Sequence, residues 1–579
     1  MKSLPPSPAP RWEPGPHPDP TLVALLEQEL SLPRALCSLL VTRGFSDPAA
    51  AKSFLRPSLS ALHPPAALKD LPQAVNRILA ALEAGETMFV HGDYDVDGMA
   101  GTALLTRWLR RMGGTVVPFV PHRVRDGYDV GSAGLEAAAA AKASLLVTVD
   151  CGILAHEALA RARDLGMHVI VTDHHTPDRE LPPALAVLNP NRADGSYPDR
   201  GLCGAGVAFK LCQALATSRG HPEEELHPLL DLVCMATVAD LVPLTGENRI
   251  LARFGLRALA QTRNPGLHAL MSSAGVDPKQ LSAGTVGFVL APRLNAVGRL
   301  GDAGQGLRLL LTEDGGEADR LAWEAGELNR ARQEEDRRIL GEVLDQLAEG
   351  YDPLRDFAVV LGSEGWHPGV VGIVASRVVE LVHRPTVLVA LEGGRGRGSG
   401  RSIPEFHLLE AIRACGGHLE RFGGHRQAAG MEILQDRLAG FREAFNAEAR
   451  KTLEHQELRP TLRLEAEVGL GDLSWDLLRY MKYLGPHGIG NPRPLFVARG
   501  VTLVQPPRVV GSGHLQLRLR QGGTELGAIG FRLAQRLHPK TLGAGPFDVA
   551  FQLQENEYRG TRELQANLKD LRPAGEEGT

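Results

Sequence analysis

From about residue 76 onward the apolar positions of the chain alternate between two periods. Four short runs rich in β-branched and aromatic residues, TMFVHGD (87–93), GTVVPFVPH (114–122), SLLVTVD (144–150) and HVIVTDHH (168–175), read as strands. Between them lie alanine- and leucine-rich stretches with helical spacing, among them GTALLTRWLRRM and GLEAAAAAKA. Strands alternating with helices predict a doubly wound parallel sheet, an α/β fold whose sites lie at the carboxyl ends of its strands. Farther on, residues 317–350 hold strong helix formers and no proline, with Leu321, Leu328, Ile339 and Leu340 spaced among charges. They predict one long connecting helix with a solvated face. FAVVLG, a helix within HPGVVGIVASRVVELV and the strand PTVLVAL then predict a smaller α/β unit. Short alternating runs separated by glycine turns, such as HLQLRLRQ and VTLVQPPRVV, predict a small β-barrel near the C-terminus.

Three of the first four runs carry carboxylates at or next to their ends, one of them followed by two imidazoles. In TMFVHGDYDVDGMAG, His91, Asp93, Asp95 and Asp97 fall at alternate positions, and a strand places every second side chain on one face. An extended chain would crowd up to three negative charges together, which calls for a cation. The third run ends in Asp150 and the fourth in Asp173, His174 and His175, while Asp240 follows an apolar stretch with the character of a buried helix. A single aspartate after a strand is more often a helix cap, and a lone Asp-His-His triplet could be a surface loop. Caps and loops do not account for their joint occurrence at the ends of successive strands. Burying so many carboxylates without partners is costly, whereas oxygen and imidazole ligands around two divalent ions satisfy them.

Composition changes this picture in a few places. At 579 residues the chain exceeds what one core accommodates, so about two to four domains are expected. With 43% hydrophobic and 23% charged residues, the disordered and fibrous classes are excluded. Cys37, Cys151, Cys203, Cys212, Cys234 and Cys415 show no CxxC spacing, which suits a reducing interior. No run has the form of a signal peptide or the length of a membrane span, so a cytoplasmic protein with no membrane partner is expected. The opening LPPSPAPRWEPGPHPDP is proline-rich and predicts an extended or mobile segment.

The net charge of −5 argues against a uniformly basic coat but conceals a local excess. From Pro486 to Gly545, Arg493, Arg499, Arg508, Arg518, Arg520, Arg532, Arg536 and Lys540 stand against one acid, Glu525. A barrel with such a basic face is OB-like, a platform for single strands, with Arg518 and Arg520 as backbone contacts. Phe496 and Phe531 are its obvious aromatics, for base stacking or for core, and backbone electrostatics should dominate its grip. The smaller α/β unit carries GGRGRGSGRSI (393–403) and FGGHRQAAG (422–430). Glycines such as Gly400 let a backbone approach a phosphate closely, while Ser399, Arg401 and His425 can donate to its oxygens. A flexible basic loop would suffice for GRGRG alone, but it leaves the histidine beside the second glycine pair unexplained.

The order of HGDYDVDG, VTVDCG, TDHH and ATVADLVPL resembles the DHH phosphoesterase superfamily. The detail within those blocks resembles its RecJ family, bacterial exonucleases that degrade single-stranded DNA from the 5′ end. PHRVRDGYDV, NPNRAD, LCGAGVAFKL, APRLNAVGRL, WHPGVVGIVASRVVE, GSGRS and RFGGHRQAAG extend the likeness over roughly residues 75–500. The expected organisation is a proline-rich segment with short helices over 1–45, a DHH catalytic domain over 46–310 and a connecting helix over 311–350. A DHH-associated phosphate- and DNA-binding domain over 351–456 and an OB-like single-strand-binding domain over 457–579 follow.

The resemblance also implies roles. One ion would be held by His91, Asp95 and Asp150, the other by Asp97, Asp150, His174 and Asp240, with Asp150 shared. Asp93 is expected behind the ligands, and Asp173 is expected to orient the DHH turn. His175 has no place in either ligand set and is expected to contact the substrate phosphate or assist the departing oxygen. Two such ions acidify a water and offset charge on the attacked phosphodiester, so no side chain need be the nucleophile. Two imidazoles among carboxylates favour Mn²⁺, with Mg²⁺ an alternative. Arg123, Ser399 and Arg401 would receive a terminal 5′ phosphate, and Arg299 is a further phosphate contact.

The implied activity is 5′-to-3′ hydrolysis of single-stranded, preferably 5′-phosphorylated DNA to 5′ mononucleotides, in DNA repair and recombination. A single-strand-binding protein and a helicase are the candidate protein partners. Hydrolysis of pyrophosphate, cyclic dinucleotides or very short RNA would share the metal site but leaves the basic barrel without a purpose. A non-catalytic DNA-binding scaffold would be expected to have lost ligands, and here every ligand position is filled.

Overall fold

The structure, a computed structural model, describes residues 8–575 apart from Val124, Tyr128, Lys540, Thr541, Ala544 and Arg559. Lys540 of the basic segment, and Val124 and Tyr128 of the PHRVRDGYDV block, therefore lie outside the described residues. The chain forms two compact units. One comprises Arg56–Arg332 with Gly485–Pro492; the other comprises the chain up to Leu55, Gln333–Leu484 and the chain from Arg493. Among the described residues no helix is long and apolar enough to cross a membrane.

The first unit is the doubly wound sheet that the alternation predicts. Its five strands are all parallel and run in the order Thr115–Phe119, Thr87–Gly92, Leu145–Val149, His168–Thr172, Ala186–Leu188. Alternate residues of each strand enter two separate cores. Met88, Val90, Leu145, Val147 and Ile170 pack with the helices Val96–Arg111, Gly204–Ser218 and Leu230–Ala239. Phe89, Leu146, Val169 and Val171 pack with the helices Ser132–Ala140 and His156–Asp164. Burial on both faces is why these strands read as nearly continuous apolar runs. The strand order 2-1-3-4-5 reverses between Thr87–Gly92 and Leu145–Val149, and that switch point is where α/β folds hold their ligands.

In the second unit a mixed sheet runs in the order Leu419–Gly424, Ala428–Leu434, Arg395–Arg401, Thr386–Glu392, Val359–Glu364. It packs against the helices Leu408–Ala414 and Leu438–Leu453 through Leu408, Ile412, Phe441 and Phe445. A seven-stranded sheet closes into the barrel where Phe496–Leu503 pairs with both His514–Gln521 and Phe547–Tyr558. The connecting helix spans Gly315–Gly350, roughly 54 Å at 1.5 Å per residue, and the boundary between units falls inside it.

Two open alternatives are resolved here. The proline-rich start is extended but anchored: Arg11–Pro14 pairs in parallel with Thr461–Leu464, and buried Trp12 donates its Nε1–H to Asp570 Oδ2 at 2.7 Å. Val23, Leu26, Leu36 and Leu39 of the following helices enter the same core as the barrel's Leu517, Val549 and Phe551. Prolines hold a chain extended, and at a sheet edge their missing N–H costs no ladder bond. Phe496 is fully buried against Phe551 in that core and offers no face to a base, whereas Phe531 is exposed beside His514.

Candidate metal centre

The strand ends bring the acidic and imidazole residues of the first unit together. Asp95 caps the helix Val96–Arg111, its Oδ1 accepting from the N–H of Asp97 at 2.9 Å and of Gly98 at 3.1 Å. Asp97, in the first turn, accepts at 2.7 Å from each of the Gly204 and Ala205 N–H groups, the start of the helix Gly204–Ser218. Two helix N-termini therefore hold these carboxylates in place. Asp150 leaves its strand in the left-handed region, with φ +62°. A Cβ at Gly204 would stand 2.5 Å from Asp150 Cβ, so the close approach of helix to aspartate requires glycine.

His174 is the hub. Its Nε2 lies 3.1 Å from Asp150 Oδ1, 3.5 Å from Asp240 Oδ2 and 3.8 Å from Asp97 Oδ2. Three sets of ligand atoms each fall within 4.8 Å of one another: Asp97, His174 and Asp240; Asp150, His174 and His175; and Asp93, Asp95 and Asp150. Buried His91 Nε2, Asp93 Oδ1, Asp150 Oδ1 and His174 Nε2 have no hydrogen-bond partner among the described residues. Buried polar atoms ordinarily find partners, and oxygen and imidazole nitrogen facing one another unbonded fit divalent cations.

The electrostatics agree. Burial pushes Asp97 up to about 7, with the charge of Asp95 adding to it. Burial and neighbouring carboxylates raise Asp93, Asp150 and Asp240 as well. Burial holds His91 and His174 down at about 4, so both imidazoles are neutral and able to ligate. His175 differs. Burial works against its charge, but Asp173, through a 2.8 Å hydrogen bond to Nδ1 and its negative charge, outweighs it and raises His175 to about 9.

An oxygen of Asp93, expected behind the ligands, lies within 4.8 Å of ligand atoms of Asp95 and Asp150. His91 falls in none of the three sets; its Nδ1 faces Cys151 Sγ at 3.7 Å, leaving Nε2 as the atom without a partner. Asp173 accepts from the backbone N–H of His174 and His175 and, through Oδ2, of Ile153. Sequence reasoning missed Asn189 and Asn191, whose side-chain amides donate to the His175 and His174 carbonyls at 2.9 and 2.6 Å. Amides following a strand in NPNRAD were the available signal.

The phosphate candidates lie in both units. In the first, the Arg123 guanidinium sits 5.0 Å from the Tyr94 ring centroid, and its charge bears on Asp93. Arg299 lies in the last turn of the helix Ala291–Leu300 and bears on the same tyrosine. That helix comes so close that a Cβ at Gly298 would meet the Tyr94 carbonyl at 2.5 Å. In the second, Arg401 Nη1 donates to Ser399 Oγ at 3.0 Å and to the Gly400 carbonyl at 2.7 Å. Both side chains abut Gly372 near the N-terminus of the helix Val371–Val382, a suitable anion seat. Exposed His425 donates its N–H to the carbonyl of Ala428, the sheet partner of Arg401.

On the barrel, Arg508, Gln516, Arg518 and Arg520 share the outward face, since Arg508 pairs with Gln516 and alternate residues of His514–Gln521 are exposed. The charge excess is smaller than the sequence count. Arg518 and Arg520 both clasp Glu525, Arg499 is paired with Glu467 and Asp548, and Arg536 with Asp570. Apart from Glu525, these acids come from outside the counted segment.

Comparison with known proteins places this geometry. The DHH family, N-terminal domain, matches residues 87–237, the DHHA1 domain matches 356–451, and the RecJ OB domain matches 464–570. The single-stranded-DNA-specific exonuclease RecJ of Dickeya dadantii is 38% identical over 564 residues, covering 94% of this chain and 96% of that protein. The crystal structure of RecJ in complex with Mn²⁺ from Thermus thermophilus is similar at a TM-score of 0.83 and 35% identity, over 97% of this chain and 79% of that one. The complex of the same protein with Mg²⁺ gives a TM-score of 0.78 at 32% identity, over 97% and 78%.

Proposed function

The chain belongs to the RecJ family of metal-dependent exonucleases that act on single-stranded DNA, and on that premise we propose that it removes 5′ mononucleotides in succession from the 5′ end. The observation that carries this reading is the convergence of Asp150, Asp240 and Asp97 on the neutral Nε2 of His174. When bound, two divalent ions acidify a water and offset the charge that builds on the attacked phosphodiester.

The side chains divide the remaining work. Asp150 would be shared between two ions, with Asp97, His174 and Asp240 holding one and His91 and Asp95 the other, and Asp93 behind them. Helix N-termini keep Asp95 and Asp97 from moving as charge shifts, so no reorganisation accompanies the reaction. His175, protonated and held at Nδ1 by Asp173, presents Nε2 to the phosphate and supplies a proton to the departing 3′ oxygen. Each cleavage leaves a new 5′ phosphate on the shortened strand. Arg123 and Arg299 in the first unit, and Ser399, Gly400, Arg401 and His425 in the second, each have the chemistry to receive a phosphate, and capture of the terminal one would give the enzyme its polarity. The barrel, through Arg508, Arg518 and Arg520, holds the strand's backbone. We place this activity in cytoplasmic DNA repair and recombination, with a helicase and a single-strand-binding protein supplying and covering the strand.

Incubation of a 5′-phosphorylated single strand and of pyrophosphate side by side with Mn²⁺ tests the reading. Mononucleotides from the strand, with pyrophosphate intact, are expected. Hydrolysis of pyrophosphate with the strand untouched would refute it.

A further inference from the structure

Two large apolar side chains stand exposed on segments that meet along the helix ending at Asp240, and the hydrophobic core accounts for neither. Leu241 is 65% exposed and directly follows Asp240. Phe288 is 87% exposed and lies in a π-helical turn, Val286–Leu290. Val286 and Leu290 point into the core while Phe288, between them, points out. Their segments pack together: a Cβ at Gly287 would stand 3.4 Å from Val238 Cγ1, on the helix that Asp240 ends.

Both sit on irregular backbone. Leu241 has φ +60°, a region that side chains other than glycine enter at a cost, and a π turn inserts an extra residue into a helix, frequently at a functional site. Asp240, at the end of the helix Leu230–Ala239, belongs to the open edge of the metal cluster. The side chains of Asp240 and His175 are 23% and 30% exposed, against 0% for Asp97 and 3% for Asp150. The turn continues into the helix Ala291–Leu300, whose far end carries Arg299 against Tyr94. A phosphate contact and an exposed aromatic thus lie roughly 16 Å apart along one helix.

We propose that Phe288 and Leu241 form an apolar platform on which unpaired nucleobases of the substrate strand stack at the mouth of the metal centre, and that this platform contributes to selectivity for single strands. The proposal rests on the nuclease reading above. Stacking on a protein side chain needs a base whose face is free, and in a duplex each face is covered by the neighbouring pair. A sequence-tolerant exonuclease is served by such a contact, because every base has an apolar face.

The test is a scan with 5′-phosphorylated strands carrying one abasic residue at successive positions, degraded by the full-length protein in Mn²⁺. In the wild type, kcat/KM should fall about tenfold when the missing base is the one that meets the platform, as expected for a stacking contact. Phe288→Ala should lower kcat/KM on the intact strand by a similar factor and abolish the position dependence, while Phe288→Trp restores both. Leu241→Gly, which relieves the positive φ, serves as a second variant that keeps the fold and should also flatten the profile. Thermal unfolding and Mn²⁺ titration check that each variant is folded and loaded. An Ala variant with the wild-type profile, or with an equal loss at every position, overturns the platform while leaving the nuclease reading intact. A wild type that degrades no strand overturns both.

Discussion

His174 Nε2 and Asp150 Oδ1 lie 3.1 Å apart, buried, and neither has a hydrogen-bond partner among the described residues. Two unbonded ligand atoms at this distance suit a shared divalent cation, and without one the protons retained by the raised carboxylates limit the repulsion. Asp150→Asn removes the shared charge while keeping a residue type that tolerates a positive φ. It should fold, bind fewer Mn²⁺ ions by calorimetric titration, and lose at least about a hundredfold in rate, since even residues behind metal ligands cost 10–100-fold. Near-normal turnover would remove Asp150 from the metal centre.

The ion-free protein should lose stability as pH rises from about 6.5 to 9. Asp97 at about 7, with Asp93, Asp150 and Asp240 also raised, keeps protons when folded that the unfolded chain has already released. His175, raised to about 9, contributes stability that is full below the unfolded histidine value and lost as pH approaches 9. His91 and His174, depressed to about 4, act oppositely, but only below about 6.5. Above that value the remaining contributions share one sign. Melting temperatures in chelator should therefore fall across this window, and the increment from Mn²⁺ should grow. A flat profile would contradict a proton-loaded carboxylate cluster.

His175 and Asp173 separate positioning from metal binding. His175→Ala should retain Mn²⁺ binding and lose roughly 10²–10⁴ in kcat, the range of a general acid. Asp173→Asn should lower the alkaline limb of the pH–rate profile, because the partner that raises His175 is gone. Bound cations set that limb below 9 in both proteins, but the shift between them persists. An unmoved limb would assign Asp173 to the shape of the turn alone.

Arg401→Ala should weaken binding of a 5′-phosphorylated strand much more than of the same strand with a 5′ hydroxyl. One charge-assisted contact is worth about 1.5–3 kcal/mol. Equal losses on the two strands would place Arg401 at an internal phosphate, or restrict it to bracing Ser399.

The barrel's grip is best read through salt dependence. Arg508 and Arg532 are exposed and make no ion pair among the described residues, whereas Arg518 and Arg520 share Glu525. Arg508→Gln and Arg532→Gln should each make log affinity less steep in log salt by about 0.7 on a long single strand. Arg518→Gln should do less, its charge being partly spent on Glu525. Truncation near Glu457 is a poorer test, because it would also strip the packing from Val23, Leu26, Leu36 and Leu39. Unchanged slopes would remove the barrel from the DNA backbone.

The sequence by itself determined the doubly wound sheet, the long helix, the barrel and the cluster of carboxylates and imidazoles. Each is written locally: in the near-continuous apolar runs of strands buried on both faces, in a proline-free stretch of helix formers, and in polar residues placed where strands end. Only the tertiary structure decided that an oxygen of Asp93 lies within 4.8 Å of ligand atoms of Asp95 and Asp150 and that the Nδ1 of His91 faces Cys151. It alone paired the barrel's arginines with Glu467, Asp548 and Asp570, buried Phe496, and left Phe288 and Leu241 exposed. These are distances between side chains far apart along the chain, and they depend on how strands and helices stack. Periodicity assigns a residue to a face, but what covers that face is set by whichever distant segment packs there.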